Sequence, residues 1–223
     1  MGSVMEDKRI ALVTESGNGL GKMIAELLRD NSYSVIVAAS GKSYEALTQL
    51  CESDENCKVV EVDFTSDKSL SQLKHFVYSY YGKLDLLINN AEVVNGFGQK
   101  INQIDLEDVK HLFEVNFFSV LKLIQMLKPL LEKGDNPKII NVTSALGDVN
   151  KMKDKTFCYS DYSLTAYATS KAALNMYTLL QAREFKPSKI SIHAFDPVVR
   201  KYCTYNSVVL GEDVRQEFID LIS

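Results

Sequence analysis

The chain has 223 residues, 46% of them hydrophobic and 24% charged, which is enough apolar material for one globular domain over residues 1–223 with a well-filled core. A formal charge of -4 with no run of like charges argues against nucleic acid or an anionic membrane surface as a partner. No stretch reaches the length of a membrane span and the N-terminus lacks the apolar centre of a secretory signal, so a reducing, cytosolic setting is the default expectation.

Short apolar runs rich in β-formers alternate with longer helix-patterned ones, which predicts repeated βαβ units: an α/β fold whose parallel sheet is covered on both faces. Strands are predicted at residues 9–14, 33–39, 58–63, 84–89, 138–143 and 189–195. Behind the first strand, Leu20, Met23, Ile24, Leu27 and Leu28 recur at helical spacing; behind the third, Leu70, Leu73, Phe76, Val77 and Tyr80 do the same. A longer helix is predicted over residues 106–131, with Asp105 as N-cap and a stop near Gly134. Another is predicted from 165 to 185, ending before Pro187. Residues 197–223 read as a loop and one final helix with no seventh strand. Cys51, Cys57, Cys158 and Cys203, with His75, His111 and His193, match no metal-ligand spacing and read as structural thiols and imidazoles.

Two local features carry chemistry. Tyr167 and Lys171, four residues apart in a predicted helix, share one face, and a fixed ammonium beside a phenol lowers the phenol pKa toward the range of a working acid or base. Alone, such a pair is also an ordinary feature of solvated helix surfaces. The turn Thr14-Glu-Ser-Gly-Asn-Gly-Leu-Gly21 leads from a strand into a helix, where glycines let backbone approach a pyrophosphate and the helix terminus offers free N–H groups. A plain strand-to-helix turn has the same composition.

Taken in order, Thr14 to Gly21, Asn89-Asn90-Ala91-Glu92, Asn116, Ser144 and Tyr167/Lys171 follow a known pattern. It is Thr-Gly-x-x-x-Gly-x-Gly, Asn-Asn-Ala-Gly, an Asn, a Ser and Tyr-x-x-x-Lys, and the chain resembles the short-chain dehydrogenase/reductase family over about residues 9–199. The resemblance implies a Rossmann-like, doubly wound parallel sheet of strand order 3-2-1-4-5-6, lacking the family's last strand, with a dinucleotide at the carboxyl ends of the strands. It implies cofactor contacts at Thr14, Ser16, Gly17, Gly19, Leu20, Gly21, Ser40, Lys42, Asp63 (near the adenine), Asn90, Ala91, Lys171 and Pro197. Tyr167 would give its proton to a carbonyl as hydride arrives, and Lys171 would lower its pKa and hold the nicotinamide ribose. Ser144 would hydrogen-bond the reacting oxygen, and Asn116 would hold a water that links Lys171 to solvent. Asn116 would equally serve to satisfy backbone groups at a helix irregularity, and Ser144 to close a strand-end turn.

Three family glycines are replaced, by Glu15, Glu92 and Val198, all along the expected cofactor path. A carboxylate about 6 Å from a phosphate charge, at an effective dielectric near 20, costs on the order of 2–3 kcal/mol, unless Glu15 turns into solvent and Gly17 takes over the turn. The second strand ends without the acid of NAD-selective relatives and with Lys42 nearby, which leans to NADP, with NAD as the other choice. The segment between Ser144 and Tyr167 is long and reads as a specificity element over the substrate mouth or as a solvated insertion. The leading expectation is an NADP(H)-preferring oxidoreductase for a small carbonyl or alcohol, a monomer or a dimer through its two long helices. The alternative is a non-catalytic relative with impaired dinucleotide binding that acts by binding or regulation.

Overall fold

The computed structural model describes residues 8–15, 19–51, 54–96, 98–197 and 212–223. Among them six strands form one parallel sheet: β1 (Arg9–Thr14), β2 (Tyr33–Ala39), β3 (Cys57–Glu61), β4 (Leu86–Asn89), β5 (Lys138–Val142) and β6 (Ser191–Phe195), in the order β3-β2-β1-β4-β5-β6. This is the doubly wound, Rossmann-like sheet that the motifs imply. The described residues hold no seventh strand.

Strand side chains alternate between two cores, as a sheet with both faces covered requires. Ile10 and Leu12 of β1 join one core with Ile36, Leu87 and Ile139, whereas Ala11 and Val13 join the other with Val35, Val37, Leu86 and Ile140. On the first face lie α3 (Asp67–Tyr81), through Leu70, Leu73 and Val77, and α5 (Ser119–Leu131), through Val120, Leu123, Ile124 and Leu127. The second face is covered by α1 (Gly19–Asp30), α2 (Gly41–Cys51) and the final helix, α8 (Glu212–Ile222), whose Phe218 ring meets Phe195 at 5.6 Å. The long α7 (Thr165–Glu184) packs on the first face as well, through Leu174, and Leu112 of α4 (Leu106–Phe113) packs on Tyr167 of α7; the short α6 (Val149–Lys153) lies between β5 and α7 in the chain.

The predicted 106–131 helix is interrupted. Asp105 caps its start by accepting from the Glu107 N–H at 2.8 Å, but residues Glu114–Phe118 form a π turn between α4 and α5, closed by the Ser119 N–H on the Glu114 carbonyl. The strands predicted at 84–89 and 189–195 begin later, at Leu86 and Ser191. Leu84 and Ile190 are buried and so read as strand, yet the Leu84 N–H goes to the Leu130 carbonyl and not to a neighbouring strand.

The cysteine expectation needs correcting. Cys51, at the end of α2, and Cys57, at the start of β3, form a disulfide with Cα atoms 5.4 Å apart, and Cys158 is disulfide-bonded too. The turn from α2 into β3 brings the first pair together, a proximity that a search for zinc spacing does not detect. No helix among the described residues is long and apolar enough to cross a membrane.

Candidate active site

Between β1 and β4 the strand order reverses, and their carboxyl ends open a crevice. Its two lips are stapled by polar bonds. Thr14 Oγ1 accepts from the Asn90 and Ala91 N–H groups, both at 2.9 Å, and Asn90 Nδ2 donates to the Thr14 carbonyl at 3.1 Å and to the Glu15 carbonyl. Thr14 and Asn90, expected at the cofactor, therefore build the crevice wall. A second buried chain runs from β4 to α7: Asn89 Nδ2 donates to Asn141 Oδ1 and Asn141 Nδ2 to Thr178 Oγ1, both at 2.8 Å. It holds the long helix at a set height over the sheet.

That helix delivers Tyr167 and Lys171 inward, 7% and 1% exposed. Neither is the solvated surface residue that the spacing alone allows. Lys171 Nζ donates to the Val142 carbonyl at 2.9 Å and lies 2.8 Å from Glu92 Oε2, and the same carboxylate oxygen accepts from Tyr167 Oη at 3.0 Å. Gly147 lets this happen: a Cβ there would lie 2.6 Å from the Lys171 carbonyl carbon, so only glycine allows the turn after β5 to seat against α7 at the lysine. Ser144 caps that turn, accepting from the Leu146 N–H at 3.2 Å, and its hydroxyl lies near enough to Tyr167 to oppose the rise in the phenol pKa. The strand-end role and the contact with the tyrosine thus coexist in one hydroxyl.

The electrostatics run opposite to the sequence expectation. Tyr167 is pushed well above the ordinary phenol value, first by burial, then by the Glu92 charge and the hydrogen bond to it, with Asp196 adding and Ser144 opposing. Lys171 was expected to draw the tyrosine down. That ammonium is paired with Glu92, whose carboxylate oxygen is shared with the phenol and pushes the tyrosine the other way.

Asn116 sits in the π turn with its amide fully committed. Its Oδ1 accepts from the Val93 N–H at 2.8 Å, while Nδ2 donates to the Val93 carbonyl at 2.9 Å and to Ser170 Oγ at 3.2 Å. The side chain satisfies backbone at a helix irregularity, the second of the two roles open to it. In doing so it clamps the residue that follows Glu92, and thereby sets where that carboxylate points.

Of the expected cofactor positions, Gly19, Leu20 and Gly21 open α1, and Gly19 takes a left-handed φ of 53°. Lys42 is in the first turn of α2, exposed, and Pro197 follows β6. Asp63 is exposed near the end of β3, and its carboxylate is held below the usual range by hydrogen bonds from the Thr65 hydroxyl and N–H. Ser16, Gly17 and Val198 lie outside the described residues. Glu15 takes a left-handed φ of 51°, and its carboxylate accepts from the Ser40 N–H at 3.3 Å and hydroxyl at 3.2 Å. It is turned to the tip of β2, whereas Glu92 is turned to the tyrosine and lysine. Sequence reasoning treated both as charges near a phosphate, with a turn into solvent as the other course for Glu15, and it passed over Gly147.

The donor set on α7 fits a dinucleotide ribose. An ammonium and a phenol converge on one acceptor oxygen, and Glu92 Oε2 stands in for the hydroxyl oxygen that would take that place. Glu92, about a third exposed, has to withdraw for that hydroxyl to enter.

The walls above Tyr167 are apolar and aromatic. Leu112 and Leu164 pack on it, with Val93, Leu146 and Tyr162 alongside. Tyr162 and Leu164 belong to the long segment before α7, and α6 in that segment is tied down by Lys151, which pairs with Asp196 at 3.0 Å.

The 7alpha-hydroxysteroid dehydrogenase of Escherichia coli K12 is 30% identical to this chain over 86% of the chain and 71% of the relative. Two solved structures share the architecture at 26% identity. One is an NADPH-bound carbonyl reductase from chicken fatty liver, with a TM-score of 0.74 over 85% of this chain and 79% of the other. The second is the RhlG/NADP active-site complex of Pseudomonas aeruginosa, with 0.72 over 85% and 72%. The profile of the short chain dehydrogenases matches residues 9–206, and with the ordered strand-end motifs and the strand order of the sheet it places this chain in the short-chain dehydrogenase/reductase family.

Proposed function

We propose that the protein is an oxidoreductase that interconverts a small-molecule carbonyl and its alcohol using a nicotinamide dinucleotide, with Tyr167 moving the proton. The observation that supports this most is the convergence of Tyr167 and Lys171 on one oxygen, with Ser144 near the tyrosine. The hydroxysteroid dehydrogenase and carbonyl reductase among its relatives support the same chemistry.

A bound dinucleotide would be held by Gly19, Leu20 and Gly21, by Asp63 and by Lys171, and would supply or accept the hydride. The remaining work falls to side chains. Ser144 Oγ orients the substrate oxygen, and Tyr167 Oη passes it a proton. Lys171, once its ammonium is released from Glu92, stabilises the phenolate left behind, so the tyrosine becomes acidic enough only when the carboxylate withdraws. Asn116 keeps Val93 in place, and Leu112, Leu164 and Tyr162 shield the reacting atoms from water.

A second reading has its own observation. Glu92 holds the two groups that a ribose would need, so a protein in which it never withdraws would keep the fold and bind no dinucleotide. Calorimetric titration separates the two. Binding of NADH or NADPH, with Tyr167→Phe abolishing turnover at nearly unchanged cofactor affinity, is the expected result. Failure of both dinucleotides to bind at millimolar concentration would leave the non-catalytic reading. The proposed assembly is a dimer through the long helices, where Phe118, Met176, Leu179 and Leu180 are exposed.

A further inference from the structure

We propose that Glu15 selects an unphosphorylated adenosine ribose, so that the protein takes NAD(H) in preference to NADP(H). This rests on the dinucleotide reading above and reverses the lean toward NADP drawn from the sequence of β2.

Parallel pairing sets Thr14 level with Ala38, so the residue after β1 emerges beside the tip of β2. There the Glu15 N–H donates to the Ala38 carbonyl at 2.6 Å, and its carboxylate reaches across to Ser40. The run Ala38-Ala39-Ser40-Gly41-Lys42 has no acid of its own, yet in the folded protein a carboxylate stands at the end of β2, delivered by the neighbouring strand. Dinucleotide folds use an acid at that end of the second strand to accept the hydroxyl hydrogens of the adenosine ribose.

The same arrangement disfavours a 2′-phosphate on three counts. A phosphate monoester carries about -1.5 to -2 charges at neutral pH and would face a carboxylate. It would also bring acceptors to a group that can only accept. The Ser40 N–H and hydroxyl, donors at the strand tip that a phosphate would use, are both turned to Glu15. Lys42 pulls the other way, but its exposed ammonium is screened by water and salt.

Adenosine fragments test this without involving Glu92, whose carboxylate is turned to Tyr167 and Lys171. Binding of 5′-AMP and of adenosine 2′,5′-bisphosphate is to be measured by calorimetry on the wild-type chain, on Glu15→Gln and on Ser40→Ala, together with NADH and NADPH. The wild type should favour 5′-AMP, and NADH where dinucleotides bind, by about tenfold or more, equivalent to about 1.4 kcal/mol. Glu15→Gln should shrink or invert that ratio. Glu15→Gly should do so as well, and because it relieves a left-handed φ it guards against a folding defect as the cause. Preference of the wild type for the 2′-phosphorylated ligand, an unchanged ratio in both Glu15 variants, or no binding of either fragment overturns the proposal. Fragments that bind with this preference while both dinucleotides fail would uphold the role of Glu15 and overturn the oxidoreductase reading.

Discussion

Glu92 and Lys171 form an ion pair of 2.8 Å on the inner face of α7, and the oxygen that pairs with the lysine also takes the Tyr167 hydroxyl hydrogen at 3.0 Å. One carboxylate thus occupies both ends of the tyrosine and lysine motif. It arrives from the loop after β4, whose next residue, Val93, is clamped by Asn116, so the contact is built into the backbone path and not only into a side-chain rotamer.

If this carboxylate competes with the cofactor, Glu92→Gly should bind NADH or NADPH more tightly than the wild type by about tenfold or more. The estimate is the charge interaction reduced for partial exposure of Glu92. Calorimetry measures it directly. Equal affinities would mean that Glu92 withdraws at negligible cost.

The tyrosine should titrate abnormally. With its pKa raised, Tyr167 stays protonated after ordinary phenols have ionised, and Glu92→Gln should bring its titration down by removing the charge that ranks second to burial as the cause. Ultraviolet difference titration against Tyr167→Phe isolates this one phenol. A group raised in the folded state contributes stability that is complete below the unfolded value, about pH 10, and is lost as the pH climbs through the folded value. Alkaline unfolding should therefore begin at higher pH in Tyr167→Phe than in the wild type, and coincident curves would contradict the assignment.

Gly147 offers a structural test. Its missing Cβ would lie 2.6 Å from the Lys171 carbonyl carbon and 2.7 Å from the Ala172 nitrogen, both backbone atoms that cannot rotate away. Gly147→Ala should destabilise by about 1–3 kcal/mol in urea unfolding. By shifting α7 it should also remove the abnormal Tyr167 titration. Wild-type stability would show that the turn relaxes elsewhere.

The Cys51–Cys57 disulfide closes a short loop across a sequence separation of 6. Chain-entropy arguments give such a loop about 2 kcal/mol, so Cys51→Ser with Cys57→Ser should lose roughly that much stability while keeping the fold. Denaturant titration of the oxidised wild type against the double variant is the measurement, and no difference would argue that the bond is open in solution.

Much of the architecture was legible because its signals are local. The β1 and β2 limits follow from unbroken apolar runs, the stripe from Leu20 to Leu28 did become the buried face of α1, and Asp105 did cap α4. The π turn was not legible, since the groups that Asn116 grips there, on Val93 and Ser170, lie far away in the chain. Helix α2 went unread because its residues after Gly41 carry a weak apolar stripe that packing against β2 and β3 completes. The cysteine pair was missed for a similar reason, its two ends being joined by a turn between elements.

By itself the sequence determined the α/β alternation, the order of the strand-end motifs and the family, because strand runs, helical stripes and glycine turns are encoded by neighbouring residues. Only the tertiary structure decided what the two glutamates do. Glu15 and Glu92 are identical in chemistry and each replaces a glycine, yet one is carried to Ser40 at the tip of β2 and the other to Tyr167 and Lys171 on α7. The difference lies in which strands pair and where α7 crosses the sheet, and those long-range contacts set the field that each carboxylate creates.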